Sequence, residues 1–370
     1  MVQVAVVHNT LDFQGGADAV CLATCEALLT DHEVTLFTLS ETDPDVLADR
    51  FDADLDGLAV RTPPANGLLA STLGRLAPKI GPQLAVRSVL VERHFRRHAA
   101  AFDLAVSTAN EFAFSGPSVQ YIHYPQFQLQ ELTDADPGRL NPLWSRLAGP
   151  DRDDLQDATL LANSAWTADV VEDIYGVRPD VLHPPVDAID GGLEWDDREQ
   201  GIVVIGRIAP DKRVLDAITV VDRLRNRGHD IHLHIVGSAP RSYREYAEKV
   251  AAAADQRSHV VFERDVPRER LETLLRTHRY GLNLKPDEHF GMSVAEYVSA
   301  GMVTFAPDGG GQRDILDGRS DRLFDSVESA VDRIDTAIST DDRPSLPRDR
   351  FTREQFKSAI GEYVNRALQR

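Results

Sequence analysis

Cysteine is almost missing from this chain of 370 residues, since only Cys21 and Cys25 occur, in a segment with helical spacing. Two thiols on one helix face suit packing and are too few for a disulfide scaffold or a cysteine zinc site, so we expect a reduced pair. No apolar run approaches the ~18 residues of a membrane-spanning helix. The first residues lack the basic start and cleavage site of a signal peptide, which predicts a cytoplasmic protein, at most peripheral to the inner face of a membrane.

Lysine is scarce as well, supplying 5 of the 40 basic residues, whereas aspartate supplies 40 of the 59 acidic residues. The formal net charge of −19 repels polyanions over most of the surface and argues against nucleic-acid binding. An Asp-rich, Lys-poor composition is typical of halophilic proteins, although a GC-rich genome would produce the same shortage of lysine. With 42% hydrophobic residues, the chain is long enough for two domains that each bury a core.

Short apolar strands alternate with helical segments along the chain, which predicts an α/β architecture with parallel sheets covered on both faces. One series begins at Val2–Val7 and a second at Gly201, and a link rich in proline and charge lies near residue 190. We therefore predict two Rossmann-like, doubly wound domains, 1–190 and 191–350, that face each other across a cleft, and a helix in 351–370 that crosses back to the first domain. Parallel sheets bind ligands at the carboxyl ends of their strands, so this cleft is the expected site.

The strongest local signal is the segment Asp287–Gly301, a loop after a predicted strand that leads into a helix. Glu288 belongs to the loop and Glu296 to the second helical turn, so the two carboxylates can contact different parts of one ligand. Carboxylates accept hydrogen bonds from paired sugar hydroxyls, and the unsatisfied amides of a helix start attract anions. Glu near a helix start is equally a favourable dipole partner, or a solvated side chain. The amides in question belong to Gly291, Met292 and Ser293.

A second loop, Gly206–Lys212, follows the first strand of the second series and carries two cations five residues apart. Arg207 can grip a diphosphate with its planar fork, and Lys212 can act on it as a point charge. Two basic residues in isolation are more often surface cations beside acidic neighbours. These loops indicate a ligand site because of their order along the chain, and not as isolated residues.

Taken together, these motifs resemble the retaining glycosyltransferases of family 4, which have the GT-B fold, and the resemblance spans nearly the whole chain. It implies that Arg207 and Lys212 neutralise a nucleotide diphosphate, that Glu288 contacts hydroxyls of the donor sugar, and that Glu296 holds the ribose. The motifs are Gly15-Gly16, Asn163-Ser164, Pro184–Asp187, Gly206–Lys212, and Glu288 with seven residues before Glu296.

The resemblance also assigns roles in the first domain. Gly15 and Gly16 would form the loop that approaches the donor phosphate and the acceptor, and His123, at a strand end, would lie near the transferred sugar. Without the resemblance, His123 would be an ordinary strand-end histidine. Enzymes of this family need no protein nucleophile, because cations and amides stabilise the departing diphosphate, which itself takes the proton of the acceptor hydroxyl.

Within the family, two segments are similar to the α-1,2-mannosyltransferases that extend a lipid-linked oligosaccharide, namely Tyr121–Pro125 and Glu288–Gly291. This resemblance implies GDP-mannose as the first donor to consider, with a UDP-hexose next. It also implies a glycan acceptor, either free or linked to a polyisoprenyl phosphate. Those enzymes usually carry a membrane-spanning start, which we do not expect from the apolar pattern of this sequence.

Metal-binding patterns carry little information in this composition. Asp-x-Asp, for example Asp134/Asp136, occurs five times, and composition alone gives roughly 4 occurrences. His232 and His234 point to the same face of one predicted strand, but no further ligand follows at a useful spacing, so a packing role is favoured over a metal site. We therefore expect transfer without a metal or another cofactor.

Residues 70–101 oppose the global charge, with six cations against the single acid Glu92. Apolar residues between the cations predict an amphipathic face that can lie on anionic lipid and meet a polyisoprenyl-linked acceptor. A helix packed on its sheet with a solvated basic face is the equal alternative. The cations are Arg75, Lys79, Arg87, Arg93, Arg96 and Arg97.

Other functions remain open on the sequence alone. Sugar-nucleotide epimerases and phosphorylases share the two-domain fold, and a silent subunit would bind a nucleotide sugar without turning it over. A dehydrogenase is disfavoured, because no Gly-x-Gly-x-x-Gly follows the first strand of either series.

Overall fold

The computed structural model describes residues 1–80, 84–127, 149–239 and 243–370, the first range without the side chains of 76–80. The chain divides into two units, of which the first comprises Met1–Pro185 with Arg353–Arg370 and the second Val186–Thr352. The last helix thus belongs to the first unit. The two units divide after Pro185, whereas the sequence predicts a boundary near residue 190. Asp134 and Asp136 lie outside the described residues.

Every strand pairing in the first unit is parallel, and the strand order among the described residues is β3-β2-β1-β4-β5-β6-β7. The central strands are buried along nearly their whole length, as expected for a sheet covered on both faces. The strands are β1 Gln3–Val7, β2 Glu33–Phe37, β3 Ala59–Arg61, β4 Leu104–Ser107, β5 Ser118–Ile122, β6 Thr159–Ala162 and β7 Asp180–Val181.

Helices cover both faces of this sheet. Val4 and Val6 of β1 pack with the first and last helices, whereas Ala5 and Val7 pack with Phe95 on the opposite face. This alternation of side chains along β1 is what makes the unit a three-layer structure. The described helices of the first unit are α1 Gly16–Leu29, α2 Pro44–Phe51, α3 Asn66–Ile80, α4 Leu84–Arg96, α5 Arg152–Gln156, α6 Ala165–Tyr175 and α13 Arg353–Leu368.

The second unit is built in the same way, with parallel strands in the order β10-β9-β8-β11-β12-β13. Its strands are β8 Glu199–Ile205, β9 His232–Gly237, β10 Val260–Arg264, β11 His278–Leu282, β12 Val303–Pro307 and β13 Leu323–Phe324. Its described helices are α7 Val214–Asn226, α8 Arg244–Asp255, α9 Arg268–Thr277, α10 Met292–Ser299, α11 Gln312–Ile315 and α12 Val327–Ser339.

The predicted α/β class with two parallel sheets is confirmed. Cys21 and Cys25 are buried on α1 as free thiols, as their spacing predicts. The strands that the sequence missed are β3, β7 and β13, which have two or three residues each and lie at sheet edges. Segments this short carry too few alternations for a pattern to identify them.

The basic segment 70–101 contains α3 after its first turn and the whole of α4. Arg87 was predicted on its basic face, but the side chain is only 2% exposed and donates to Thr10 Oγ1 and Asp12 Oδ2. Arg87 thus forms an interior ion pair with Asp12, which lies in a loop far from α4 in the sequence. The prediction that Arg87 lies on the basic face is therefore wrong. Arg93 and Arg97 are exposed. No helix within the described ranges is long and apolar enough to cross a membrane.

Glu111, in the loop after β4, gives the first unit a pH-dependent stability. Its Oε1 accepts hydrogen bonds from the backbone amides of Gln126 and Phe127 and from the Tyr175 hydroxyl, but its buried Oε2 has no partner among the described residues. Burial raises the pKa of Glu111 to about 7. Since its pKa in the unfolded chain is lower, the native state holds an extra proton between these values, and stability falls as pH rises through that window.

We expect Glu111→Gln to remove this pH dependence, because the amide has no proton to lose. Wild type should lose roughly 1–3 kcal/mol of unfolding free energy relative to the variant between pH 5 and pH 8. Urea unfolding of both proteins at the two pH values measures the difference. Parallel pH profiles for the two proteins would contradict the assignment.

Candidate functional site

The loop after β8 places Lys212 at the carboxyl edge of the second sheet. Gly206 leaves the strand with a φ of +152°, and the chain then makes a 3-10 turn over Pro210–Lys212. Proline at the start of that turn supplies the required φ, and Arg213 in the left-handed region starts α7. The backbone of Gly206 lies so close to Gly237 of β9 that a Cβ on Gly237 would overlap the Gly206 carbonyl. The loop is therefore fixed by neighbouring strands.

The loop after β11 carries Glu288, and its backbone packs against the glycines that follow β12. The amide of Gly311 donates to the Glu288 carbonyl at 2.7 Å. A Cβ on Gly310, whose φ is +64°, would overlap the Glu288 backbone. The buried Gln312 side chain donates to the carbonyls of Lys285 and Pro307 and so joins the two loops.

These loops assemble a group of alternating charges, which we call the lysine–glutamate cluster: Lys212, Lys285 and Glu288. Lys212 Nζ donates to Glu288 Oε1, although the residues are 76 positions apart. Lys285 Nζ lies 3.5 Å from Glu288 Oε2 and 3.9 Å from Asp211. Burial alone would raise the pKa of Glu288, but the two lysine charges outweigh it and hold that pKa below its usual range. Glu288 is thus ionised and orients two ammonium groups.

Arg207 is connected to the lysine–glutamate cluster through Asp211, which lies near both Arg207 and Lys285. Its guanidinium is 3.4 Å from Asp211 Oδ2 and stacks over the Tyr243 ring at 5.7 Å. The side chain is 48% exposed, which leaves it free to reorient, whereas Lys212 is held. The structure therefore brings Lys212 and Glu288 into contact and places Arg207 beside them through Asp211.

Helix α10 begins directly after this loop. Gly291 precedes it with a φ of +111°, and Met292 and Ser293 form its first turn, as the sequence predicts. Tyr297 fixes the helix on the sheet, because its hydroxyl accepts the Ile205 amide at 2.7 Å and its ring occupies the space that a Cβ on Gly281 would need. The amides of the first turn and the lysine–glutamate cluster thus lie on loops of the same sheet edge.

Glu296 projects from α10 and meets a partner that the sequence analysis did not identify. Its Oε1 accepts from Arg268 at 2.6 Å, and Arg268, at the start of α9, also binds Glu272. Burial raises the pKa of Glu296, and the charge of Arg268 only partly offsets that effect. Glu296 is therefore an acceptor held in place by an arginine, not a solvated surface carboxylate.

The carboxyl edge of the first sheet carries a separate group built on His8. Its Nε2 is 3.1 Å from Asp18 Oδ1, and its Nδ1 is 3.1 Å from the Thr108 carbonyl. Asp18 Oδ2 also accepts the amide of Gly15, the residue before α1, while Gly16 is the first residue of that helix. Burial would lower the pKa of His8, but the neighbouring Cys21 and Asp18 raise it to about 10.

His123 follows β5 and shares the Thr108 carbonyl with His8. Its Nε2 is 3.2 Å from that oxygen, so Nε2 carries the proton and Nδ1 is the acceptor. Burial, followed by the charge of His8, lowers the pKa of His123 to about 4. His123 is therefore a neutral imidazole at physiological pH beside a charged one.

Several residues of these groups were not predicted from the sequence. Lys285 had a readable signal, because it follows β11 and stands three residues before Glu288. The run Gly309–Gly311 after β12 and His8 directly after β1 had the same kind of signal. Arg268 had none, since nothing in its segment specifies contact with Glu296.

The comparisons with known proteins agree with this architecture. Residues 186–354 match the family described as glycosyl transferases group 1. HepE of Anabaena, solved with UDP and glucose, is similar with a TM-score of 0.68 at 14% identity, covering 99% of this chain and 100% of that one. WaaG, a glycosyltransferase involved in lipopolysaccharide biosynthesis, has a TM-score of 0.62 at 15% identity, covering 99% and 95%. The predicted GT-B fold is confirmed.

Curated relatives match over shorter stretches. The GDP-Man:Man(3)GlcNAc(2)-PP-Dol α-1,2-mannosyltransferase of Xenopus laevis is 24% identical over 231 residues, which are 57% of this chain and 46% of that protein. The GDP-mannose-dependent α-(1-6)-phosphatidylinositol monomannoside mannosyltransferase of Mycolicibacterium smegmatis is 30% identical over 148 residues, 37% of each. The chain spans less than half the length of these relatives.

The second unit thus matches the model of group 1 glycosyl transferases, and the chain has the GT-B fold that the sequence predicts.

Proposed function

We propose that this protein transfers a hexose from a nucleotide diphosphate sugar to a hydroxyl of a glycan, with retention at the anomeric carbon, in the manner of family 4. The observation that carries the proposal is the lysine–glutamate cluster beside the first turn of α10. Two ammonium groups and a helix N-terminus at one sheet edge match the charge of a pyrophosphate.

The chemistry follows from those charges. Breaking the bond between the anomeric carbon and the phosphate oxygen leaves positive charge on the sugar and negative charge on the diphosphate. Lys212, Lys285 and the amides of Met292 and Ser293 stabilise the departing diphosphate, with Arg207 added when it turns from Asp211. A phosphate oxygen accepts the proton of the acceptor hydroxyl. This mechanism places no metal at the phosphates.

Glu288 and Glu296 divide the recognition of the donor. Glu288 is ionised and its side chain is 12% exposed, so it accepts hydrogen bonds from hydroxyls of the transferred sugar while keeping the two lysines in place. Glu296, fixed by Arg268, accepts hydrogen bonds from the ribose. In the first unit, neutral His123 offers Nδ1 to a sugar hydroxyl, and Gly15 and Gly16 allow close approach of the substrates.

GDP-mannose is the first donor in this proposal, supported by the two mannosyltransferases named above, and a UDP-hexose is the second. The structural neighbour HepE was solved with UDP and glucose, which is the reason to test a UDP-hexose as the second donor. A glycan linked to a polyisoprenyl phosphate is the proposed acceptor, since the Xenopus laevis relative is named for such a substrate.

A panel of nucleotide sugars tests this function. The full chain is incubated with GDP-mannose, UDP-glucose and UDP-galactose, each with and without lipid-linked or free oligosaccharides and with EDTA present, and the products are followed by mass spectrometry. We expect a hexose to appear on an acceptor and NMR to show retained anomeric configuration. Turnover of donor without any acceptor indicates an epimerase, and binding without turnover indicates a silent subunit; both outcomes overturn the proposal.

Substitution of the two carboxylates tests their division of labour. Glu288→Gln should lower kcat by roughly 10²-fold with little change in nucleotide affinity, because it removes a contact to the sugar and the anchor of two lysines. Glu296→Gln should instead weaken UDP or GDP binding by about 1–2 kcal/mol, since a charged acceptor is replaced by a neutral one. Calorimetry with the nucleotide and steady-state kinetics separate these effects. Identical profiles for both variants would refute the assignment.

We also propose peripheral membrane contact through the exposed arginines of 70–101. Arg93 and Arg97 lie at the end of α4, and Arg96 is 51% exposed although paired with Glu92. Each basic residue near an anionic surface contributes about 1 kcal/mol. Charge reversal of these three arginines should abolish co-sedimentation with phosphatidylserine vesicles, whereas reversal of Arg244, exposed on α8, should not. Equal retention of wild type and triple variant would exclude this contact.

A further inference from the structure

Three imidazoles converge at the amino-terminal edge of the second sheet, away from the lysine–glutamate cluster. His232 Nε2 lies 3.0 Å from His278 Nε2, and the ring of His234 is centred 4.8 Å from that of His278. One nitrogen from each ring lies within 4.8 Å of the others. A packing role was predicted for His232 and His234 because no third ligand follows them at a useful spacing in the sequence. His278 brings a third imidazole to them from 46 positions after His232.

The sheet topology explains the convergence. Strand β8 lies between β9 and β11, and in the ladder Gly201 of β8 is paired with His232, while Glu199 is paired with His278. A Cβ at position 201 would overlap both the His232 and the His278 rings. Glycine at this strand position therefore leaves the space in which two imidazoles from flanking strands meet.

Two of the rings are already oriented as metal ligands usually are. His278 Nδ1 is 2.9 Å from the Leu274 carbonyl, which can only accept, so Nδ1 carries the proton and Nε2 offers a lone pair. His234 Nδ1 is 3.2 Å from Glu263, a carboxylate that Arg270 holds with two hydrogen bonds. Outer partners of this kind fix the ring and its tautomer in metal sites.

A carboxylate lies beside the three imidazoles, in a position for a fourth ligand. Glu199 Oε2 lies 3.4 Å from His232 Nε2 and 3.9 Å from His278 Nε2. Four ligands about 2.0–2.1 Å from a tetrahedral zinc ion are separated from one another by about 3.3 Å. The observed separations of 3.0, 3.4 and 3.9 Å are close to this value. The His234 nitrogen lies within 4.8 Å of those of His232 and His278, so it would have to approach by at most about 1.5 Å.

We propose that His232, His234, His278 and Glu199 form a structural zinc site. Three neutral imidazoles and one carboxylate are ligands that Zn²⁺ prefers, and four protein ligands leave no position for a reacting water. The ion would join β8, β9 and β11 where these strands begin. The site is independent of the proposed transfer reaction, whose residues lie at the opposite ends of the same strands.

Metal binding to the full chain tests the site directly. Protein stripped with EDTA is dialysed against ZnCl₂ and analysed by mass spectrometry for metal, and a parallel titration uses Co²⁺, whose visible spectrum reports coordination number. We expect one Zn²⁺ per chain and the intense spectrum of four-coordinate Co²⁺. At a zinc concentration about 100 times the Kd, Tm should rise by about 5–10 °C.

Variants distinguish this cluster from general histidine binding. His232→Gln and His234→Gln together should abolish the bound zinc, the cobalt spectrum and the shift in Tm. His259→Gln is the matched control, because His259 is also partly buried in the second unit but pairs with Asp222. Circular dichroism verifies that the variants fold. Wild type with no bound zinc, or zinc retained in the double variant, overturns the proposal, and so does a six-coordinate Co²⁺ spectrum.

Discussion

Replacing Lys212 by alanine is expected to lower kcat/KM for hexose transfer by about 10²- to 10³-fold, the loss measured when one preorganised charge contact to a developing anion is removed. The side chain is 21% exposed and bound to Glu288, so it is already in place before the donor arrives. Its removal also takes away one of the two lysines that contact Glu288, leaving Lys285. Steady-state kinetics with the preferred donor measure the loss.

The chain offers a control for this substitution. Lys249 is exposed on α8 in the same unit, and Lys249→Ala removes the same charge from a different helix. It should change kcat/KM less than twofold, because exposed surface charges act weakly. Lys285→Ala should resemble Lys212→Ala, and Arg207→Ala should have a smaller effect, since its guanidinium is half exposed and bound to Asp211. Normal turnover in Lys212→Ala would remove the basis of the proposed mechanism.

Gly310→Ala is expected to disable the donor site by displacing the backbone of Glu288. The added Cβ would overlap the carbonyl and amide of Glu288, and backbone cannot rotate away as a side chain can. Displacing a catalytic group by about 1 Å can cost about 10²-fold in rate. We therefore expect a loss of at least that size in kcat/KM, together with weaker binding of the nucleotide sugar.

Gly318→Ala provides the control for this effect. Gly318 has a φ of +63°, almost equal to the +64° of Gly310, but a Cβ there has nothing within 4 Å. Both variants bear the cost of a left-handed alanine, about 1–2 kcal/mol of stability. Thermal unfolding should show that shared loss, whereas only Gly310→Ala should lose transfer. Comparable activity of the two variants would mean that the glycine run does not position Glu288.

The fold was predictable because its signals are local. Strand β1 lies within the predicted Val2–Val7, and β8 contains Gly201, the predicted start of the second series, since buried parallel strands are continuous apolar runs. The site loops were predictable for a related reason, because ligands bind at the carboxyl ends of parallel strands. Glu288 and Lys212 both follow such strand ends.

Contacts between side chains on different elements were not predictable in this way. Arg87 looked like part of a basic surface, and only the folded chain brings Asp12 and Thr10 to it. Arg268 reaches Glu296 from a different helix for the same reason. A pattern along the chain specifies which face a side chain occupies on its own element, and it does not specify the neighbour on the next element.

The sequence by itself determined the α/β class, the two parallel sheets and the loops that carry the candidate donor site, because each depends on residues close together in the chain. The tertiary structure decided which side chains meet: Lys212 with Glu288, and His232 with His278. Both contacts depend on strand order, which places β8 between β9 and β11. Strand order results from the packing of the whole sheet, so no spacing between two residues encodes it.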